Sequence, residues 1–157
     1  MLHRTLIVTA MVTATLGLAA VPAGAKPPVQ VRFTDPATFV LPGGVVCDFD
    51  VQVDVRQKVK VITFRGERGA AFGGLSTGKI RVVLTNLDTH ESRRLSIPGP
   101  SFFDVNGNLV IGTGPWLVWE PGAIRYLVGR MRFVPGPLGL HAILLNGREV
   151  DYCAVLD

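Results

Sequence analysis

The chain has 157 residues, 48% of them hydrophobic, with 16 Lys plus Arg against 12 Asp plus Glu and a formal net charge of +4. Removing a leader of 25 residues would leave 157 − 25 = 132 residues, enough for one domain with a core and too few for two ordinary ones. The same cut removes Arg4, so 15 cations stand against 12 acids, a charge of +3 spread along the chain, which reads as a solubility feature more than as a partner signal.

The leader is expected over residues 1–25. Residues 6–21 are uncharged, and Ala23 and Ala25 in "VPAGA" fit a small-x-small cleavage site. The run is short of the roughly 20 predominantly apolar residues of a spanning helix. A secreted, extracellular protein is therefore expected, with no membrane contact after leader removal. In that compartment the two cysteines, Cys47 and Cys153, read as a disulfide. The bridge makes their surroundings neighbours, or places them face to face across a core.

Residues 26–46 hold four prolines and Gly43-Gly44, the composition of an extended arm or short edge segment. The ordered β domain is expected over 47–157. From Cys47 to Arg56 apolar and polar residues alternate strictly, the period of a strand with one wet face. In "KVKVITFR", Ile62 and Phe64 fall on the face that begins with Lys58 and Lys60, which a bulge or bend would reconcile.

The next stretch raises a nucleotide question. "GGLSTGKI", Gly73 to Ile80, carries G-x-x-x-x-G-K, but Ile80 stands where the magnesium-binding hydroxyl belongs and a β-patterned run follows where a helix should. The reading is a mobile loop over 66–78 between two strands.

Residues 79–97 form a hairpin around "LDTHES". Asn106-Gly107 and Asn146-Gly147 mark two more hairpins. Between them lie "PWLVWE" and "IRYLVGRMRFV", the latter interrupted at Gly129, a mark of a bulge, bend or close approach. No segment shows a helical apolar stripe. Eight to ten short strands predict an all-β fold, a single antiparallel β-barrel with its seam pinned by Cys47–Cys153, with a β-sandwich as the alternative.

Chemistry is sparse. No G-x-S-x-G elbow is present, His90 sits in a turn, and His141 falls on a strand. No metal site and no cofactor are expected. Asp48, Asp50 and Asp54 share one face of the first strand, as any solvent face would. Both faces of "LVIGTGPWLVWEPGAIRYLVG" are apolar, with Trp116 and Val118 on one side and Leu117 and Trp119 on the other. An antiparallel sheet usually wets one face, so the arm, another protomer or a ligand should cover the second set.

The sequence thus nominates Trp116, Trp119, Tyr126, Arg130, Asp104 and Glu120 as ligand-binding residues. The partner would be a small apolar ligand in the barrel mouth or a protein. An alternative is a small extracellular enzyme using Asp104 or Glu120 with Tyr126 and Arg130. A third is a structural cell-envelope protein. Arginines beside Trp and Tyr raise nucleic-acid binding, which export and a charge of +3 argue against. The sequence assigns no oligomeric state.

At "CDFDVQV", "LTNLDTHESRRLSIPGPSFFD", "GTGPWLVW" and "GREVDYCAVL" the chain resembles a family of small secreted β-rich proteins of high-GC Gram-positive bacteria. Twelve Arg against four Lys fit a GC-rich genome. The resemblance implies export and a bridged cysteine pair, and no chemistry.

Overall fold

A computed structural model describes residues 27–64 and 73–157. The expected leader and residues 65–72 of the glycine-rich segment lie outside them. Nine strands follow in order: β1 (Val29–Phe33), β2 (Ala37–Leu41), β3 (Val51–Thr63), β4 (Gly74–Asn86), β5 (Ser92–Pro98), β6 (Ser101–Phe103), β7 (Leu109–Glu120), β8 (Ala123–Gly136) and β9 (Gly139–Asp151). One helical turn, α1 (Cys153–Leu156), closes the described chain.

All pairings are antiparallel, and the sheet runs β1-β3-β4-β6-β7-β8-β9, with β2 also on β3 and β5 also on β4. The all-β expectation holds. The barrel does not: among the described residues β9 pairs only with β8, and β1 and β2 only with β3, so the ladder stays open at both ends. Cys47 and Cys153 are bridged with Cα atoms 5.4 Å apart, but they join the bends before β3 to α1 and pin no seam between strands.

What replaces closure is a corner. At Pro98-Gly99-Pro100 the chain leaves β5 for β6, and β7 pairs with β6 while β5 pairs with β4 alone. Gly99 and Gly114 both have positive φ (143° and 90°), and a Cβ on Gly99 would lie 2.3 Å from the Thr113 carbonyl oxygen. Only glycine lets the two backbones approach so closely. Beyond the corner, the layer of β2, β3, β4 and β5 faces one side of β7–β8.

The first core fills that gap. Val51, Val53, Val82, Leu84 and Leu95 meet Ile124, with Val46, Cys47 and Leu156 plugging one end. Asn86, 1% exposed, ties that plug to the sheet: its amide donates to the Leu156 carbonyl (3.0 Å), and its Oδ1 accepts from the Asp88 and Thr89 N–H groups. A buried amide satisfied in this way avoids the penalty of an unpaired polar group.

The second core lies on the opposite face of β7–β8, where Val118, Leu127, Met131, Phe133 and Ala142 pack together. It exists because the β7–β8–β9 sheet rolls over on itself. Glu120 is opposite Ala123, and His141 is opposite Val134; along an extended β8 those positions would be about 36 Å apart. Yet His141 Nδ1 is 2.8 Å from Glu120 Oε1. The roll follows a line of three glycines, Gly114 paired with Gly129 and Gly129 with Gly147, all at positive φ. A Cβ on Gly129 or Gly147 would meet a carbonyl oxygen of the neighbouring strand at 2.0 Å.

Three local expectations are corrected. Asn146-Gly147 is no hairpin turn: β9 runs through it, and the reversal occurs between Gly136 and Gly139. Asn146 Oδ1 accepts the Arg130 N–H (3.1 Å) where the β8–β9 register shifts. Residues 74–78 of the expected loop are strand: they pair with β3 on one side, and Gly74, Leu75 and Ser76 pair with β6 on the other. Finally, of the bulge or bend expected in β3, the bulge is absent: its register with β4 is continuous from Val51 to Thr63, and Gly78, at φ 146° opposite Val59, is the special residue there.

Candidate binding surface

The structure places the six nominated residues in separate settings. Trp119 packs on the first core and meets Phe39 of β2 edge-on at 6.1 Å. Trp116 packs on the second core against Phe133, with ring centroids 4.7 Å apart. The apolar second face of β7–β8 is thus covered from within the chain. The arm covers Trp119 and the rolled sheet covers Trp116. Tyr126 donates its hydroxyl to the Ser96 carbonyl (3.1 Å) across the first core and meets Tyr152 edge-on; burial pushes its phenol pKa up.

Asp104 is the brace of the β6–β7 turn. Its carboxylate accepts from the Asn106 and Asn108 N–H groups and from Asn108 Nδ2, and these bonds, the Asn108 side chain first, hold its pKa below the usual range. Glu120 belongs to an ionic cluster at the mouth of the second core. Arg125 bridges Glu120 (2.8 Å) and Glu149 (2.5 Å), and His141 reaches Glu120 from β9. The hydrogen bond from Arg125 holds Glu149 below its ordinary pKa, and Glu149 in turn raises Arg125. Arg130 is exposed beside the β8–β9 shift.

These residues do not converge on one cleft. A cavity of about 190 Å³ lies beside the disulfide, lined by Asp48, Phe49, Gly122 and Asp157 among others, and one of about 40 Å³ lies beneath Trp116. Both fall below the roughly 300 Å³ at which drug-sized ligand pockets begin. Among the described residues no cluster of three His, Cys, Asp or Glu could hold a metal, and no helix is long and apolar enough to cross a membrane.

The feature that sequence reading missed is the outer face of the first layer. Register sets Arg56 directly opposite Arg81, Lys58 opposite Lys79, and Arg32 opposite Lys60. Arg94 of β5 lies on the same face, beside Val83. Residues directly opposite one another share a face, and like charges so placed are destabilising. No ion pair relieves these seven cations among the described residues. Asp54, the one acid in β1 to β6, shares the face. Its carboxylate is occupied by Thr38 (2.6 Å) and Gln52 (3.0 Å), which lower its pKa, Thr38 first.

No protein-family model, curated protein or solved structure matches this chain. The reading of function therefore rests on the chain's own geometry. The face spans four strands, β1, β3, β4 and β5, or about 14 Å at the usual interstrand spacing, and about 13 Å along β3 from Arg56 to Lys60. Its signal was in the sequence only as scattered Lys and Arg. Pairing made it an array.

Proposed function

We propose that this is an exported, disulfide-clamped, non-catalytic binding domain that engages an anionic partner through the outer face of β1, β3, β4 and β5. The observation carrying the reading is the set of cross-strand like-charge pairs, Arg56 with Arg81, Lys58 with Lys79 and Arg32 with Lys60. Folding alone would select against such pairs, and an anionic partner turns the repulsion into attraction. Export is supported by the leader pattern of residues 1–25 and by the Cys47–Cys153 bridge. We read the open sheet as a two-layer sandwich whose second layer, β7 to β9, is rolled, leaving the first layer's outer face for the partner.

The test is retention of residues 26–157 by anionic matter of several kinds: polyphosphate, polyglutamate and anionic phospholipid vesicles. Binding that weakens with salt, and is lost on Arg56→Gln/Arg81→Gln but kept on Arg93→Gln/Arg148→Gln, supports the reading. No retention by any of the three at low salt overturns it.

A further inference from the structure

Resting on that reading, we infer that the anionic partner is a phospholipid bilayer surface, met by the cationic array and by an apolar block at its end. The block lies on the same outer face. Ile62 is opposite Leu75, Leu75 opposite Phe102, and Phe102 opposite Ile111, a line across β3, β4, β6 and β7. Phe64, two residues beyond Ile62 and 46% exposed, extends that line to the rim, where its N–H donates to the Gly73 carbonyl (2.9 Å).

Lys60 precedes Ile62 by one alternation on β3, and Lys79 lies four residues beyond Leu75 on β4. By register the cation rows therefore run into the half-buried Ile62 and Leu75 and, beyond them, the exposed Phe64. This is the arrangement of interfacial membrane binders, with charge held at anionic headgroups and apolar groups sunk at the acyl boundary.

The alternatives use only part of it. A linear polyanion contacts cations one row at a time and has no use for Ile62, Leu75 and Phe64. Single-stranded nucleic acid needs aromatic rings between the cations for its bases, and β1, β3, β4 and β5 place none among their outward cations. A protein partner would have to desolvate four arginines and three lysines, and Lys is depleted from such interfaces. A two-dimensional anionic surface satisfies the whole face and leaves the cations hydrated. The inference departs from the expectation, drawn from the sequence, of no membrane contact after leader removal.

The experiment is cosedimentation of residues 26–157 with phosphatidylcholine vesicles with and without phosphatidylglycerol, beside a parallel measurement with soluble polyphosphate. Expected is pelleting with the phosphatidylglycerol vesicles alone, weakened by salt. Removing one cation should lower partition about fivefold and Lys58→Gln/Lys79→Gln about 25-fold, while the variant melts no lower than the parent because repulsion is relieved. Phe64→Ser should lower vesicle partition and leave polyphosphate binding unchanged. Should Phe64→Ser fold poorly by circular dichroism, Phe64→Trp gives a second reading, in which quenching of the new indole by brominated acyl chains is expected.

Binding to polyphosphate without vesicle binding overturns the bilayer and leaves the anionic-partner reading standing. Binding to neither overturns both. Loss in Arg93→Gln/Arg148→Gln as large as in Lys58→Gln/Lys79→Gln overturns the inference by reducing the effect to net charge, and so does an unquenched Phe64→Trp.

Discussion

The two halves of the sheet handle the same problem differently. The β3–β4 hairpin keeps one face wet and one dry over most of a continuous register, so its apolar residues alternate from Val51 to Val55 and at Ile80, Val82 and Leu84, and the pattern breaks toward Ile62 and Leu75. The β7 strand and the first half of β8 bury both faces, because one packs on β2 to β5 and the other is wrapped by the distal half of the same sheet, whereas much of β9 stays exposed. The sequence of that sheet shows no simple alternation, and its punctuation is glycine. Alternation reports how many sides a strand buries; glycine at positive φ reports where a sheet bends enough to bury the second.

That contrast can be attacked at the disulfide first. Cys47 and Cys153 belong to the first core, and closing a 106-residue separation is worth up to about 4.7 kcal/mol in the chain-entropy model. Cys47→Ser should therefore lower the urea midpoint strongly, with the largest gain in amide exchange expected around Val46, Val51 and Leu156. Equal gains around Met131 and Ala142 would show that the two cores form one cooperative unit.

The glycine line comes next. Gly147→Ala places a Cβ against the Val128 carbonyl at φ 128°, a strain of about 2 to 4 kcal/mol. The second core should open, with Trp116 fluorescence shifting red, while the β3–β4 hairpin keeps its exchange protection. An unchanged melting temperature would mean that the line of glycines does not set the roll.

The smallest effect concerns Arg125. Glu149 has a depressed pKa because Arg125 bonds its carboxylate, so the stability from this pair is present above the ordinary glutamate range, near 4.3, and is lost as pH falls through the depressed value. Arg125→Gln should flatten that acid-side slope and, by leaving Glu120 and Glu149 without their shared cation, lower stability at neutral pH by about 1 kcal/mol, a figure already reduced for the exposure of Glu149. A variant with an unaltered acid limb would place the slope elsewhere.

The reading of the chain as antiparallel strands succeeded where a local rule fixes the outcome. Asn106-Gly107 forms a turn, with Gly107 at φ 84° and Asp104 bracing it. Asn146-Gly147 has the same two residues and makes no turn, because the dipeptide supplies positive φ without dictating whether the chain reverses or only bends. The neighbouring Gly136-Pro137-Leu138-Gly139 took the reversal. Likewise, the doubly apolar run around Trp116 and Trp119 signalled a covered second face, but its cover, the far half of the same hairpin, depends on a bend that no local rule locates. The cationic face was illegible for a related reason. Lys58 and Lys79 become neighbours only through register, and register is a long-range fact.

The plug formed by Cys153 and Leu156 carries a consequence of timing. The first core lacks its end wall until Cys153 and Leu156 are in place, and their partner residues, Val46 and Cys47, lie more than a hundred residues earlier in the chain. Contacts of such long sequence separation form late and slowly. The first core is therefore walled at that end only once two segments more than a hundred residues apart have met.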